Sequence, residues 1–229
     1  MSRPVAGRPA TAEASTASVR LEKIPLGVPR GISGYAESAD TLARQYESVS
    51  FSEVHREVLH LFPERPSQVM DVGAGTGRDA AALSALGHRV VAVEPTAELR
   101  NHGRRLHPDM DIDWVDDALP DLAVIRRRGQ RFDLILVTAV WMHLDWAERD
   151  TSMRRLGNLL EPGGQMILSV RHGPVPEGRR MYDVPDREAI VLARECGLDV
   201  VHSGRRPDLH GRADVSWTLL GLRCPANGR

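Results

Sequence analysis

The chain has 229 residues, 41% of them hydrophobic and 27% charged, with a formal net charge of -1 at neutral pH. That length and apolar content suit one domain with appendages and a buried core. The near-zero charge excludes a global drive toward nucleic acid or an acidic membrane. Two distant cysteines, Cys196 and Cys224, exclude a disulfide framework or a cysteine metal motif, and no apolar run reaches the length of a membrane span.

Residues 1–30 are rich in Ala, Ser, Thr, Pro and Arg and almost free of large apolar side chains. Such a segment cannot offset its own ordering entropy and is expected to be a disordered tail. Glu13 and Glu22 count against an acid-poor targeting peptide, and with no signal-peptide apolar region a cytoplasmic setting is expected. Residues 31–65 read as a helical cap, with one helix from Tyr35 to Tyr46 and another from Phe51 to Leu61, stopped by Pro63 and Pro66. Residues 66–224 make up the main domain.

That domain opens with a buried strand, Val69 to Val72, then a loop containing Gly73, Gly75 and Gly77, then a helix from Arg78 to Gly87. A second strand, Arg89 to Val93, ends on Glu94. Strand, glycine loop, helix, strand and terminal acid form the opening of a nucleotide-binding α/β fold. The glycines tolerate positive φ and the close approach of a ligand. The free N–H groups of the helix start favour an anionic ligand group. Glu94 is placed to accept hydrogen bonds from both hydroxyls of a ribose, a charged contact worth roughly 1.5–3 kcal/mol. A glycine turn that only packs helix on sheet would not need that acid. A dinucleotide fingerprint would need a small residue at position 78, where Arg78 stands, and this counts against NAD(P).

The pattern Asp71-x-Gly73-x-Gly75-x-Gly77 resembles the first motif of the class I S-adenosylmethionine-dependent methyltransferases. The resemblance implies S-adenosyl-L-methionine as cofactor, with contacts from Asp71, Gly73, Ala74, Gly75, Gly77, Arg78, Glu94 and Pro95. Thr96 opens a helix that runs to Leu106, and a third strand, Asp111 to Val115, ends at Asp116-Asp117-Ala118. In the resembled family an acid here accepts the adenine amino group. Asp117 beside Ala118 matches best, with Asp116 as the alternative and a solvated turn acid as the competing reading. After a basic helix, Leu122 to Arg128, the continuous apolar run Phe132 to Val137 suits a strand covered on both faces. Thr138 and Ala139 begin a segment that resembles the family's holder of the methionine end of the cofactor. Asp145 with Glu148 has the spacing of a capping box, opening a helix to Leu160. The turn Glu161-Pro162-Gly163-Gly164 leads into a strand from Gln165 to Val170, a further recurrent family feature. A last helix, Pro185 to Cys196, precedes two strands, Leu198 to Ser203 and Val215 to Leu222.

The expected fold class is therefore α/β: a doubly wound, seven-stranded, mostly parallel sheet with an antiparallel last strand and an N-terminal helical cap. In many small-molecule members of the resembled family an N-terminal tyrosine lies over the cofactor. Tyr46 and Tyr35 are candidates, against simple packing at helical spacing.

A sulfonium methyl group is already activated, so the protein's main task is to align a nucleophile and exclude water. A base is needed only for an acceptor that is protonated at neutral pH. His143 is the candidate base, or alternatively a structural hydrogen-bonder at a helix start. Arg171 and His172 follow a strand end, where Arg171 can clamp a carboxylate or phosphate; a solvated loop is the alternative. Trp141 and Met142 line the acceptor pocket or belong to the core. His55 and His60, like His102 and His107, are five residues apart and share no helical face as metal ligands would, so solvated histidines and no metal are expected. Arg126-Arg127-Arg128 reads as a solvated helix face rather than a nucleic-acid contact. The Asn/Asp-Pro-Pro-Tyr/Phe tetrad of base-methylating enzymes is absent after the fourth strand. The expected partner is a small-molecule acceptor, with neither nucleic acid nor membrane. A protein or peptide acceptor, a non-catalytic cofactor-binding regulator and an NAD(P) enzyme are the rivals. Oligomeric state and the methylated atom are not specified by the sequence.

Overall fold

The most apolar runs of the chain become the middle of a seven-stranded sheet. In the computed structural model, which describes residues 34–176 and 179–226, β1 (Gln68–Val72) pairs in parallel with β4 (Phe132–Val137). Val69, Leu134, Ile135, Leu136 and Val137 are fully buried there. Strands covered on both faces need no polar alternation, which is why these segments read as unbroken apolar runs. The tail expected over residues 1–30 lies outside the described residues, as does the start of the cap at residues 31–33.

On one side of this pair stand β2 (Arg89–Val93) and β3 (Ile112–Val115), and on the other β5 (Leu160–His172), all parallel. Beyond β5, β7 (Ser216–Arg223) runs antiparallel both to β5 and to β6 (Asp199–Pro207), giving the order β3-β2-β1-β4-β5-β7-β6. The strand order reverses between β1 and β4. A crevice opens there, outside the carboxyl ends of the strands, where open α/β sheets bind ligands.

Helices α3 (Arg78–Ala85), α4 (Ala97–Leu106), α5 (Ala123–Arg128), α6 (Trp146–Leu159) and α7 (Asp186–Glu195) connect the strands. α6 starts at the expected capping box, with Glu148 N–H donating to Asp145 Oδ1 at 2.9 Å and Asp145 N–H to Glu148 Oε2 at 2.7 Å. It is held to the sheet by Met153 and Leu156, both fully buried, each worth roughly 1.5–3 kcal/mol. Among the described residues no helix is long and apolar enough to cross a membrane.

The cap consists of α1 (Ala39–Glu47) and α2 (Phe51–Val54). The helix expected from Phe51 to Leu61 is broken: α2 ends after one turn, and only a 3-10 turn at Leu59–Leu61 follows. The break coincides with His55, which turns inward between Phe51 and Phe62 and is 2% exposed. Burying that ring outcompetes continuation of the helix. Strand five is longer than expected because the Pro-Gly-Gly turn is absorbed into it: Gly163 N–H donates to Cys224 O and Cys224 N–H to Gly164 O. β6 also runs on past Ser203 to Pro207, paired with β7 as far as Ser216.

Candidate active site

A cavity of about 420 Å3 occupies the crevice, and its lining runs from the glycine loop to the ends of β5 and β7. At one end the backbone is pinned to β2, with Gly73 and Ala74 N–H groups donating to Val93 O at 2.8 and 3.1 Å. Gly73 has φ +72, and a Cβ there would collide with the Val140 side chain. Gly75 also has positive φ, and the Tyr46 ring lies 3.2 Å from where its Cβ would be. The cap tyrosine thus packs directly on the loop.

The acids beneath this loop are held by the protein itself. Asp71 accepts a backbone hydrogen bond from Ala80, and burial, with Asp79 nearby, pushes its carboxyl well above the usual range. Burial alone would raise Asp79 too, but His55 and Arg78 outweigh it and hold that carboxyl well below its ordinary value. The contacts are His55 Nε2 to Asp79 Oδ2 at 2.8 Å and Arg78 Nε to Asp79 Oδ1 at 2.7 Å. Arg78 also reaches Tyr46 O at 3.4 Å, so it ties the cap to the loop as well as lining the cavity. The expectation that His55 is a solvated histidine is therefore corrected: its ring nitrogen is needed by a buried carboxylate.

Glu94 is 5% exposed and lines the cavity beside Pro95. Its Oε2 accepts Gly75 N–H at 2.9 Å and its Oε1 accepts Thr96 N–H at 2.8 Å. Burial raises its pKa, opposed by those donors and by Arg100. A carboxylate has about four acceptor sites, so beside these two amides and the nearby Thr96 side chain it keeps acceptor capacity for a ligand. Asp117 differs. Its Oδ1 accepts the N–H groups of Ala118 and Ala123, and its Oδ2 those of Val124 and Ile125, at 2.7–3.0 Å. Three of these donors are the first amides of α5 and the fourth is the neighbouring Ala118, so although Asp117 lines the cavity its acceptor sites are occupied by backbone, which counts against the adenine-accepting role expected of it. Asp116 is not its substitute: that side chain is 70% exposed, bonds Arg100 and does not line the cavity. Ala118 does line it.

At the opposite end, Thr138 and Ala139 follow β4, and Ala139, at φ 59, donates its N–H to Ser169 Oγ at 2.8 Å. Met142 lines the cavity, whereas Trp141 is fully buried core. His143 is 8% exposed. Its Nδ1 lies 2.8 Å from the Arg180 carbonyl, which can only accept, so the proton sits on Nδ1. Nε2 is left as an acceptor, 2.9 Å from the Tyr35 hydroxyl. Burial lowers the His143 pKa, and Arg179, Arg171 and Arg180 lower it further. Burial also raises the Tyr35 pKa, keeping its O–H a donor. The Arg179 guanidinium covers the Tyr35 ring at 3.9 Å.

Arg171 lines the cavity and is 6% exposed, but His172 does not line it. Successive strand residues face opposite ways, and His172 bonds Thr218 Oγ1 on the neighbouring strand at 2.8 Å, which corrects its assignment to the substrate mouth. Missed by the sequence reading were Arg179, Arg206, Asp208, Arg212 and Trp217, all lining residues. The alternation of Arg206 with its neighbours was a signal that stopping β6 at Ser203 concealed.

Comparison with known proteins adds the following. A family model described as a methyltransferase domain matches residues 38–203. A protein-L-isoaspartate O-methyltransferase of Rhodopseudomonas palustris is 30% identical over 137 residues, covering 60% of this chain and 58% of that protein. A ubiquinone biosynthesis O-methyltransferase of Nitrobacter winogradskyi is 29% identical over 184 residues, 67% of each. The chain spans about half the length of the first curated relatives it matches. Among solved structures, 1,6-didemethyltoxoflavin-N1-methyltransferase of Burkholderia thailandensis, with bound 1,6-didemethyltoxoflavin and S-adenosylhomocysteine, superposes with TM-score 0.57. It is 25% identical, with 89% of this chain and 93% of that one covered.

Proposed function

This chain belongs to the S-adenosylmethionine-dependent methyltransferases, and from that premise we propose that it transfers a methyl group to a nucleophile of a small-molecule acceptor. The observation that carries the reading is one cavity that joins the ribose-type acid Glu94 to the candidate base His143. Its volume of about 420 Å3 falls within the range of small-ligand pockets.

The residues present fit the cofactor. Glu94 retains acceptor capacity for a vicinal diol, Gly75 offers backbone without a Cβ, and Tyr46 packs over that loop. In this reading Asp71 and Arg78 brace the loop, while Gly77, Ala118, Thr138 and Ala139 shape the walls. When bound, S-adenosyl-L-methionine supplies a methyl group activated by its sulfonium. The chain's part is to orient the acceptor, exclude water and take up a proton where the nucleophile carries one. His143 is set for that last task. Its proton is fixed on Nδ1, its Nε2 accepts the Tyr35 hydroxyl, and its lowered pKa keeps it neutral at physiological pH. Tyr35 donates to Nε2 and can pass a proton to it from a bound hydroxyl or amine without becoming a phenolate.

A protein or peptide acceptor is the rival that the isoaspartate relative brings to mind. The cap residues Tyr35 and Tyr46, which line the cavity and are largely buried, favour a small molecule. Cys196 and Cys224, both buried and neither joined in a disulfide, fit a reducing cytoplasmic setting.

The test is calorimetric titration with S-adenosylhomocysteine. Micromolar binding that Glu94→Ala weakens about tenfold or more, equivalent to roughly 1.4 kcal/mol, is expected. Absence of binding by the wild type would overturn the reading. For an acceptor that must lose a proton, the acid limb of kcat/KM should lie below the ordinary histidine value of about 6.5, because burial depresses the His143 pKa.

A further inference from the structure

The acceptor end of the cavity holds more positive charge than the protein itself neutralises. Arg171 on β5, Arg179 beyond it, and Arg206 and Arg212 around β6 all line this end. Of these, Arg212 is satisfied by Asp208, through Nε to Oδ2 at 2.9 Å and Nη2 to Oδ1 at 2.7 Å. Asp208 also accepts from Trp217 Nε1 at 2.9 Å and from His210 N–H at 3.0 Å, so its capacity is spent. Glu148, on the same lining, is engaged with the Asp145 N–H and with Arg180, and the acids whose charge reaches the remaining cations, Asp214 toward Arg171 and Glu57 toward Arg206, form no ion pair with them among the described residues.

The remaining three guanidiniums have no carboxylate partner among the described residues. Arg171 is 6% exposed, its Nη1 reaches only the Gly173 carbonyl at 3.2 Å, and its Nε is buried without a partner. Arg206 has the same pattern: Nη1 on the Pro207 carbonyl at 3.2 Å and a buried, unpartnered Nε. Arg179 also has a buried nitrogen without a partner, and its charged plane rests on the Tyr35 ring. Arginine does not shed its proton inside proteins, so a buried guanidinium has to find a counter-charge. Around these cations the surfaces are flat and apolar: Trp217 pairs with Arg171 across β5 and β7, Arg206 lies over the Trp217 ring at 5.6 Å, and Met142 and Met181 complete the wall.

We propose that the methyl acceptor is a small aromatic acid whose carboxylate is bound by Arg171 with Arg206, its ring lying against Trp217 and Tyr35. The proposal rests on the methyltransferase reading above and sharpens it. Planar, multiply donating guanidinium suits a planar carboxylate, which arginine binds in bidentate fashion. The acid's anchor and the base Nε2 of His143 then line the same end of one cavity. Arg171 and Arg206 are specificity residues in this arrangement, and His143 remains the base, reached through the Tyr35 hydroxyl.

A second source of the same chemistry is the cofactor's own carboxylate, and the experiment separates the two. Protein saturated with S-adenosylhomocysteine is titrated, by ligand-observed NMR, with benzoate, salicylate, phenylacetate and indole acetate and with the methyl ester of each. At least one acid is expected to bind ten times more tightly than its ester. Arg171→Met should erase that preference while S-adenosylhomocysteine affinity stays within twofold. Arg206→Met, on another strand, gives a second reading should Arg171→Met fail to fold, and is expected to reduce the preference at least threefold. No preference for any acid in cofactor-loaded wild type overturns the proposal and leaves the methyltransferase reading intact. The proposal also falls if Arg171→Met, or Arg206→Met in its place, weakens S-adenosylhomocysteine tenfold but leaves methylthioadenosine, which lacks the carboxylate, unchanged. Those cations then serve the cofactor.

Discussion

At the glycine-loop end of the cavity the charged groups answer one another, whereas at the β5–β7 end only Arg212 and Asp208 do. Asp79 is shared between His55 and Arg78, Asp117 is consumed by four backbone donors, and Glu94 is steadied by two. Arg171, Arg179 and Arg206, by contrast, keep nitrogens with no protein partner. A self-satisfied region has its shape before any ligand arrives, while a region with uncompensated charge is completed by what binds. In the function proposed here the first region serves the cofactor and the second the acceptor.

The largest effect that would break this contrast comes from Asp79→Ala, which strands His55 and Arg78. Removing one partner of a buried pair costs about 3–5 kcal/mol, or roughly 6–20 °C in Tm for a chain of this size. Because the Asp79 pKa is depressed on folding, its contribution is present above the unfolded carboxylate value near ~3.9 and is lost as pH falls through the folded value. Thermal unfolding should therefore show a constant gap between variant and wild type from about pH 5 to 8 that narrows below about pH 4. A Tm within about 2 °C of wild type at neutral pH would mean that the loop end is not self-braced.

Next comes Asp117→Ala. Loss of the α5 cap should cost about 0.5–2 kcal/mol, seen as a Tm lower by a few degrees. S-adenosylhomocysteine affinity, measured well below the transition, should change less than threefold. A tenfold loss of affinity would restore the adenine contact that the sequence suggests.

Tyr35→Phe removes the donor to His143 Nε2. A neutral hydrogen bond is worth about 0.5–1.5 kcal/mol, so turnover of any acceptor that must lose a proton should drop about two- to tenfold, with cofactor affinity unchanged. Equal loss in both quantities would place Tyr35 in the cofactor end instead. The smallest effect is expected from His172→Ala, which faces away from the cavity. Turnover within twofold of wild type is the outcome that fits.

These contrasts also explain what the sequence disclosed. The succession of strands and helices, the glycine loop and the α6 capping box were legible because each depends on residues close together in the chain and on a local period or spacing. The acceptor end was not, because Arg171, Arg179, Arg206 and Trp217 meet only through the pairing of β5, β6 and β7. Asp117 shows the limit from the other side: its motif was recognised, but three of the four amides that occupy it belong to the start of the next helix. His55 is the same lesson, since nothing in its neighbours in sequence announces a partner twenty-four residues away.

The cap is fastened to the glycine loop at several points: Tyr46 on Gly75, Thr76 Oγ1 donating to Glu47 at 2.7 Å, and His55 on Asp79. Cap docking and cofactor occupancy thus draw on the same few residues and form one linked equilibrium. A ligand that binds only the docked arrangement stabilises it by RT ln(1 + [L]/Kd), about 2.7 kcal/mol at a hundredfold excess over Kd. Amide hydrogen exchange over residues 39–61 should slow accordingly when S-adenosylhomocysteine is added. The cap would then serve as the protein's own gauge of cofactor occupancy.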